Sequence, residues 1–557
     1  MEYLYLIIAV VAFFTVKSIY DQRNKEKLLR YFIEQEWGCI GDKTYTAEKF
    51  AALEKFYKRN KDSETDIDDI TWNDLDMDRI YALLNSTNCT IGEEYLYHLL
   101  HKPVYDQEKL TKRNQLIEFF QSNKEARIKL QVALRSLGTF HEFSVYDYFT
   151  RDEESGLDVL KHIICPIGLL TGIATIFIQP AIGIVLSIFF LIYNIVTYYK
   201  DKPIIQQYLN TFSYILRMMH TIDEIKDVKN KELSEYITIL SDNNKRLNGF
   251  KKGSGLVVGG RSFSGGLDDI ILDYMRMMFH IDILKFNQMH KQMKKLIKEL
   301  QECYQVIGYL DSMIAIASYR AFVKDYALPT LYSKKEPFLK VSNIYHPLVD
   351  EPVKNSFYET RSTLITGSNA SGKSTFLKTV AINSIFAQTI YTTLSDSYES
   401  SYFKILSSMA LQDSIMNHES YYIVEIKSLK RILDKVNKEV PILCFVDEVL
   451  RGTNTLERIA ASAEILYKLG CSNVLCLAAT HDIELTHILE KYYSNYHFQE
   501  EVVENDILFD YTLYKGRAVS KNAIKLLKII GYNDRLIDAA TNRANQFLET
   551  NQWEVFH

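Results

Sequence analysis

Positions 367–375, GSNASGKST, set two glycines five residues apart with a Lys–Ser pair directly behind the second. Gly367 and Gly372 permit backbone torsions that turn main-chain amides toward an anion. Ser368, Asn369, Ala370, Ser371 and Thr375 complete the expected nucleotide-binding loop. Lys373 adds a point charge at the β- and γ-phosphates, and the Ser374 hydroxyl suits Mg2+. A β-rich run, RSTLIT (361–366), precedes the loop, and FLKTVAINSIFA (376–387) follows with helical periodicity. A strand–loop–helix context is what a phosphate-cradling loop requires, because the helix N-terminus adds its dipole. ATP and Mg2+ are the cofactors this spacing predicts.

A second motif supplies the carboxylates. In PILCFVDE (441–448) the apolar run Ile442–Val446 reads as a central parallel strand buried on both faces. Asp447 at its end is placed to hold Mg2+, and Glu448 to polarise the attacking water. Another strand, VLCLAAT (474–480), ends at His481 and Asp482. A histidine there can sense the γ-phosphate or orient water. The predicted catalytic residues are therefore Lys373, Glu448 and His481, and the metal ligands Ser374 and Asp447.

The rest of the chain must position these groups. Its 557 residues suffice for two to four domains, and 47% hydrophobic with 24% charged residues excludes a disordered chain. Only 22 glycines and 9 prolines argue for long helices. Net charge is −5, so no global basic field advertises nucleic acid. Seven scattered cysteines without a CxxC pair suggest neither disulfides nor zinc and fit a reducing compartment.

Two apolar blocks interrupt this pattern. Residues 3–16 are uncharged, and residues 163–199 hold no Asp, Glu, Lys or Arg over 37 positions. Gln179-Pro180 divides the longer block into segments of 16 and 18 residues, each spanning roughly 24–27 Å as a helix. That reads as a membrane hairpin, and the shorter block as a retained anchor. Lys17, Arg23, Lys25 and Lys27, Lys161, and Lys200 and Lys202 flank the spans. Positive residues favour the cytoplasmic side, so the expected topology has three spans with the N-terminus and the 179–180 turn outside. Segments 203–250 and 268–328 read as long helices around a glycine-rich loop at 249–266, which holds seven glycines. Its Lys251, Lys252 and Arg261 either touch phosphates or are simply solvated.

The motifs resemble those of the MutS mismatch-repair ATPases. The loop GSNASGKST, ESYYIVEI (419–426), FVDEVLRGTNT (445–455) and AATHDIEL (478–485) occur in that family's order and approximate spacing. Upstream, IYHPLVDEPVKNSFYETRSTLITG (344–367) is similar to the lead-in strand whose His-Pro region, here His346, lies beside the adenine. Residues 83–120 resemble the start of the family's helical core, and residues 511–548 its C-terminal dimerisation segment. The resemblance implies that Ser420 is the signature serine reaching the partner subunit's γ-phosphate. It also makes Asn369 the loop asparagine and Glu425 the acidic residue after that serine, and sends Arg451–Thr455 across a dimer interface. Residues 1–70 are too short for the family's mismatch-reading domain.

The expected fold is a C-terminal α/β P-loop (ABC-type) ATPase domain joined to a long-helix all-α core with transmembrane helices. The expected domains are an anchor at 1–20, a first helical core part at 42–160 and a hairpin at 163–199. A lever region at 200–328, an ATPase domain at 329–510 and a helical dimerisation segment at 511–557 follow. The expected function is an ATP-driven switch or clamp, homodimeric and membrane-anchored, with its ATPase domain cytoplasmic. A membrane-tethered, DNA-binding repair or recombination factor is the rival reading, and a transporter ATPase ranks last because the spans offer few polar pathway residues.

Overall fold

The structure is a computed structural model of the 557-residue chain. It describes residues 24, 26–41, 43–139, 144–150, 158–228, 230–251, 254, 274–333, 336–368, 371–409, 421–436, 439–450, 454–503, 506–518, 524, 527, 531–550, 552, 553, 555 and 556. The apolar block at 3–16 and most of the glycine-rich loop lie outside these. The chain forms two compact units. One draws on Met1–Asp62, Tyr81–Leu99 and Lys112–Lys324, the other on Ser63–Ile80, Leu100–Thr111 and Asp325–His557. The segment expected as one piece at 42–160 thus contributes to both. Two of its stretches find their partners in the second unit: Ser407 Oγ donates to Asp74 Oδ2 at 2.6 Å, and Val104 N to Gln388 O at 2.8 Å.

The first unit is helical. Helix α1 (Ala47–Arg59) starts where Thr46 accepts from Lys49 N, and α2 (Lys124–Leu137) where Asn123 accepts from Ala126 N. Helix α3 (Val159–Ile176) is capped by Asp158, and α4 (Pro180–Ile225) begins with proline at its first turn, where the missing N–H costs nothing. Helices α5 (Ser234–Lys251), α6 (Ile281–Lys295) and α7 (Ile297–Val323) follow in the chain.

Among the described residues three helices, α3, α4 as far as Pro203, and α7, are long and apolar enough to cross a membrane. Burial separates them. In α7, 72% of the most apolar stretch is buried, so this helix lies in the unit's core. The corresponding shares for α3 and α4 are 28% and 22%, with Ile164, Leu170, Phe177, Val185 and Ile192 turned outward. The two helices pair tightly: a Cβ at Gly183 would stand 2.3 Å from Ile176 N, so only glycine allows the approach. At the hairpin foot, buried His162 and His280 face each other with Nδ1 atoms 2.9 Å apart, and Asp201 Oδ2 lies 3.2 Å from His162 Nε2. The boundary expected at 199/200 falls inside α4, which continues unbroken to residue 225 through Pro203. That proline forgoes the bond to the Tyr199 carbonyl without ending the helix. The change from apolar to amphipathic sequence is therefore not a break in structure.

The second unit carries two sheets. Strands β1 (Thr330–Tyr332), β2 (Leu339–Ile344), β3 (Asn355–Glu359), β4 (Thr363–Thr366) and β5 (Ser397–Ser401) come first in the chain. Strands β6 (Lys404–Ser408), β7 (Ile442–Asp447), β8 (Val474–Thr480), β9 (Ser494–Val503) and β10 (Asp506–Lys515) follow. The small sheet has the order β1-β5-β2-β3, the large one β10-β9-β4-β8-β7-β6. Within the large sheet β9 to β6 run parallel and β10 closes the edge antiparallel. Residues 511–515, expected in a helical segment, lie in β10, where DILFDYTLYK pairs with β9. Helices α8 (Lys373–Thr389), α9 (Tyr421–Asp434), α10 (Thr455–Gly470), α11 (Ile483–Ile488) and α12 (Asp534–Thr550) accompany the sheets.

Every residue of β4, β7 and β8 is buried. Each large apolar side chain there contributes on the order of 1.5–3 kcal/mol, which fixes the central strands rigidly. Register then aligns their carboxyl ends: Thr366 pairs with Thr480, and Asp447 with Ala479. Groups carried just beyond those ends converge, as ligand sites in open parallel sheets do.

Candidate nucleotide site

The turn after β4 meets helix α8 at Gly372, whose φ of 104° lies in the region open to glycine. Gly367 has φ 151°, and a Cβ there would stand 2.8 Å from Ser371 Oγ and 3.0 Å from Phe498 O. Helix α8 has no side-chain cap and no acidic residue in its first turn. Its leading N–H groups and dipole thus favour an anion. Ser371 Oγ, beside them, is buried and accepts or donates no hydrogen bond among the described residues. Lys373 is buried, with Nζ donating to Gly367 O at 2.8 Å and Ser368 O at 2.6 Å. The ammonium therefore sits inside the turn. Ser368 Oγ donates to the Glu500 carboxylate on β9.

Two groups face this turn from neighbouring strands. Ser374 Oγ donates to Asp447 Oδ2 at 2.6 Å. A hydroxyl and a carboxylate oxygen side by side are hard donors suited to Mg2+, which keeps several waters and needs few protein ligands. His481 Nε2 lies 2.5 Å from Glu448 Oε1, with the imidazole as donor. Glu448 has φ 56° and Leu450 φ 61°, left-handed conformations that cost about 1–3 kcal/mol each. Two bonds hold them: Glu448 N donates to Ala479 O at 3.0 Å, and Leu450 N to Glu425 Oε1. Glu448 thus leaves the extended backbone of β7 directly after Asp447, and its carboxylate lies against His481.

Beside Gly372 and Thr375 opens a cavity of 330 Å3 walled by Ile344, His346, Phe376, Phe498 and Tyr511. Apolar and aromatic walls next to a phosphate-type turn suit a purine. His346 Nδ1 accepts from Leu348 N at 3.1 Å. Burial, reinforced by the Lys378 cation, lowers its pKa to about 4, so it is neutral at pH 7. A larger cleft of 770 Å3, lined by Lys340, Tyr358, Arg361 and Lys491 among others, contains none of the predicted catalytic, metal-binding or nucleotide-binding residues.

Of the residues singled out by sequence, Gly367, Ser368, Ser371, Gly372, Lys373, Ser374, Thr375, Asp447, Glu448 and His481 gather at the ends of β4, β7 and β8, and His346 lines the adjoining cavity. Asn369, Ala370, Ser420 and Arg451–Thr453 lie outside the described residues. Sequence reasoning did not single out Glu500, Phe498, Tyr511 or Arg458. The first three stand on an edge hairpin more than a hundred residues beyond the turn they face. Arg458 forms a two-bond ion pair with Asp482, 24 residues away, and no local spacing announces it.

Residues 363–548 match the family model described as MutS domain V. The chain is 31% identical over 281 residues to the DNA mismatch repair protein MutS of Thermotoga maritima, covering 48% of this chain and 34% of that protein. It is 29% identical over 266 residues to the human MutS protein homolog 4, covering 44% and 28%. The DNA mismatch repair protein MutS of Fervidobacterium nodosum matches more extensively, 23% identical over 541 residues, 85% of this chain and 62% of that protein. The chain thus spans about a third of the length of the first two relatives. The domain V match covers the large sheet and the strand-end groups described above, and over residues 363–548 the chain is similar to MutS.

Proposed function

We propose that this chain is a membrane-anchored ATPase that switches conformation as it binds and hydrolyses ATP at sites shared between two copies. The observation that carries this reading is the convergence of Lys373, the Ser374–Asp447 pair and the Glu448–His481 pair beyond three adjacent strand ends. Lys373 attracts the β- and γ-phosphates, and the α8 N-terminus adds its field. Ser374 and Asp447 would hold Mg2+, which when bound neutralises charge on the phosphate oxygens. Glu448 orients and polarises the attacking water while His481 fixes that carboxylate and faces the γ-phosphate. The purine takes the cavity beside His346. A transition state with charge on all its equatorial oxygens calls for donors on every side. The family resemblance supplies the missing side through Ser420 of the partner copy.

The outward apolar faces of α3 and α4 support a membrane location, with the catalytic unit on the cytoplasmic side. Detergent-purified protein should hydrolyse ATP in a Mg2+-dependent manner, and Lys373→Ala should weaken nucleotide binding. The names of the relatives favour a second reading, a membrane-tethered DNA-binding repair factor. Steeply salt-dependent DNA binding by the same preparation would support that reading, and no binding at low salt would exclude it.

A further inference from the structure

We infer that Arg458 and Asp482 form a positioning latch that sets His481 against Glu448. The inference rests on the ATPase reading above. Arg458 Nε donates to Asp482 Oδ2 at 3.1 Å and Nη2 donates to Oδ1 at 2.7 Å, a bidentate arrangement that fixes both planes. The pair is largely sheltered, with side-chain exposures of 24% and 14%, so solvent screens it less than an exposed pair.

What Asp482 forgoes is informative. It stands at the N-cap of α11, where an aspartate ordinarily accepts from its own helix, yet its side chain makes no capping bond. Both oxygens go to Arg458 instead, while its backbone N donates to Thr480 Oγ1 at 3.0 Å. The residue directly after His481 is therefore anchored through side chain and main chain alike. Arg458 belongs to the first turn of α10, with its N donating to Asn454 O at 2.8 Å. Asn454 in turn caps that helix. The latch consequently ties the first turn of α10 to the histidine that holds the hydrolytic carboxylate. A shift of α10 is transmitted to His481 through two charge-assisted bonds. Arg458 acts on His481 through Asp482, and its cation adds a weaker electrostatic pull on the Glu448 carboxylate.

The test measures kcat, KM and nucleotide affinity on the full-length protein in detergent, for Arg458→Ala, Asp482→Asn, the double variant and each in a His481→Ala background. Asp482→Asn keeps the shape of the side chain and guards against a folding defect in Arg458→Ala. Each single change should lower kcat by about ten-fold or more while nucleotide affinity is retained, since a misplacement of about 1 Å suffices for such losses. The double variant should be no worse than either single one, and neither change should lower the residual rate of His481→Ala. Unchanged kcat in both single variants overturns the latch, as does a full additional loss in the His481→Ala background or a joint fall in affinity and thermal stability. Absence of hydrolysis in the wild-type protein would instead overturn the ATPase reading on which it rests.

Discussion

Ser374, at the start of α8, and Asp447, at the end of β7, meet with Ser374 Oγ donating across 2.6 Å, although 73 residues separate them in sequence. Parallel register of β4, β8 and β7 brings them together. Their joint task would be to hold Mg2+ through hard oxygens. Asp447→Asn should raise the Mg2+ concentration for half-maximal ATP turnover by at least about ten-fold, and Ser374→Ala should act in the same direction. A magnesium titration of steady-state hydrolysis checks this, and unchanged midpoints in both variants would refute the assignment.

His346 offers a prediction on acid stability. Its pKa falls from an ordinary 6.5 to about 4, first through burial and then through Lys378. Between those values the unfolded chain binds more protons than the folded one, so stability rises with pH across that window and is lost on acidification. His346→Gln should flatten the part of this slope that His346 supplies. Urea unfolding of the purified protein at pH 7, 6 and 5 measures it, and an identical slope in the variant would contradict the assignment.

The resemblance-based role of Ser420 predicts complementation. If Ser420 acts in trans, a mixed dimer of Lys373→Ala and Ser420→Ala chains gathers both lesions on one site and leaves the other intact. Random mixing of the two inactive proteins should restore roughly a quarter of wild-type hydrolysis, provided the sites fire independently. No recovery in single-turnover hydrolysis would place Ser420 in cis or remove it from the site.

Much of the second unit was legible in the chain because its signals are local. The run VLCLAAT coincides with β8, and Ile442–Val446 falls within β7, since a continuous apolar stretch bounded by polar residues has few other uses. The helix after the glycine-rich turn was legible for the same reason. What escaped depends on partners far apart in sequence. Residues 63–80 and 100–111 read as ordinary helical core, and only contacts such as Ser407 with Asp74 assign them to the second unit. The edge strand β10 was obscured by a resemblance that pointed to helices beyond residue 511. The Arg458–Asp482 pair carries no periodicity at all.

Topology is testable at the hairpin turn. Pro180→Cys should react with an impermeant thiol reagent added to intact cells, above the wild-type background, because Gln179-Pro180 faces outward in the proposed arrangement. Lys231→Cys, exposed on the first unit beyond α4, should react only after lysis. Release of the protein by alkaline carbonate, or labelling of both positions in intact cells, would contradict a membrane hairpin.

The central claim, that Glu448 polarises water at an ATP site built on Lys373 and Asp447, has one direct measurement. Nucleotide binding and single-turnover hydrolysis of γ-labelled ATP are to be compared between the wild-type protein and Glu448→Gln. The account predicts that the variant binds ATP about as well as the wild type yet cleaves it at least about 100-fold more slowly, the usual consequence of losing a general base. Cleavage by Glu448→Gln at the wild-type rate would contradict it.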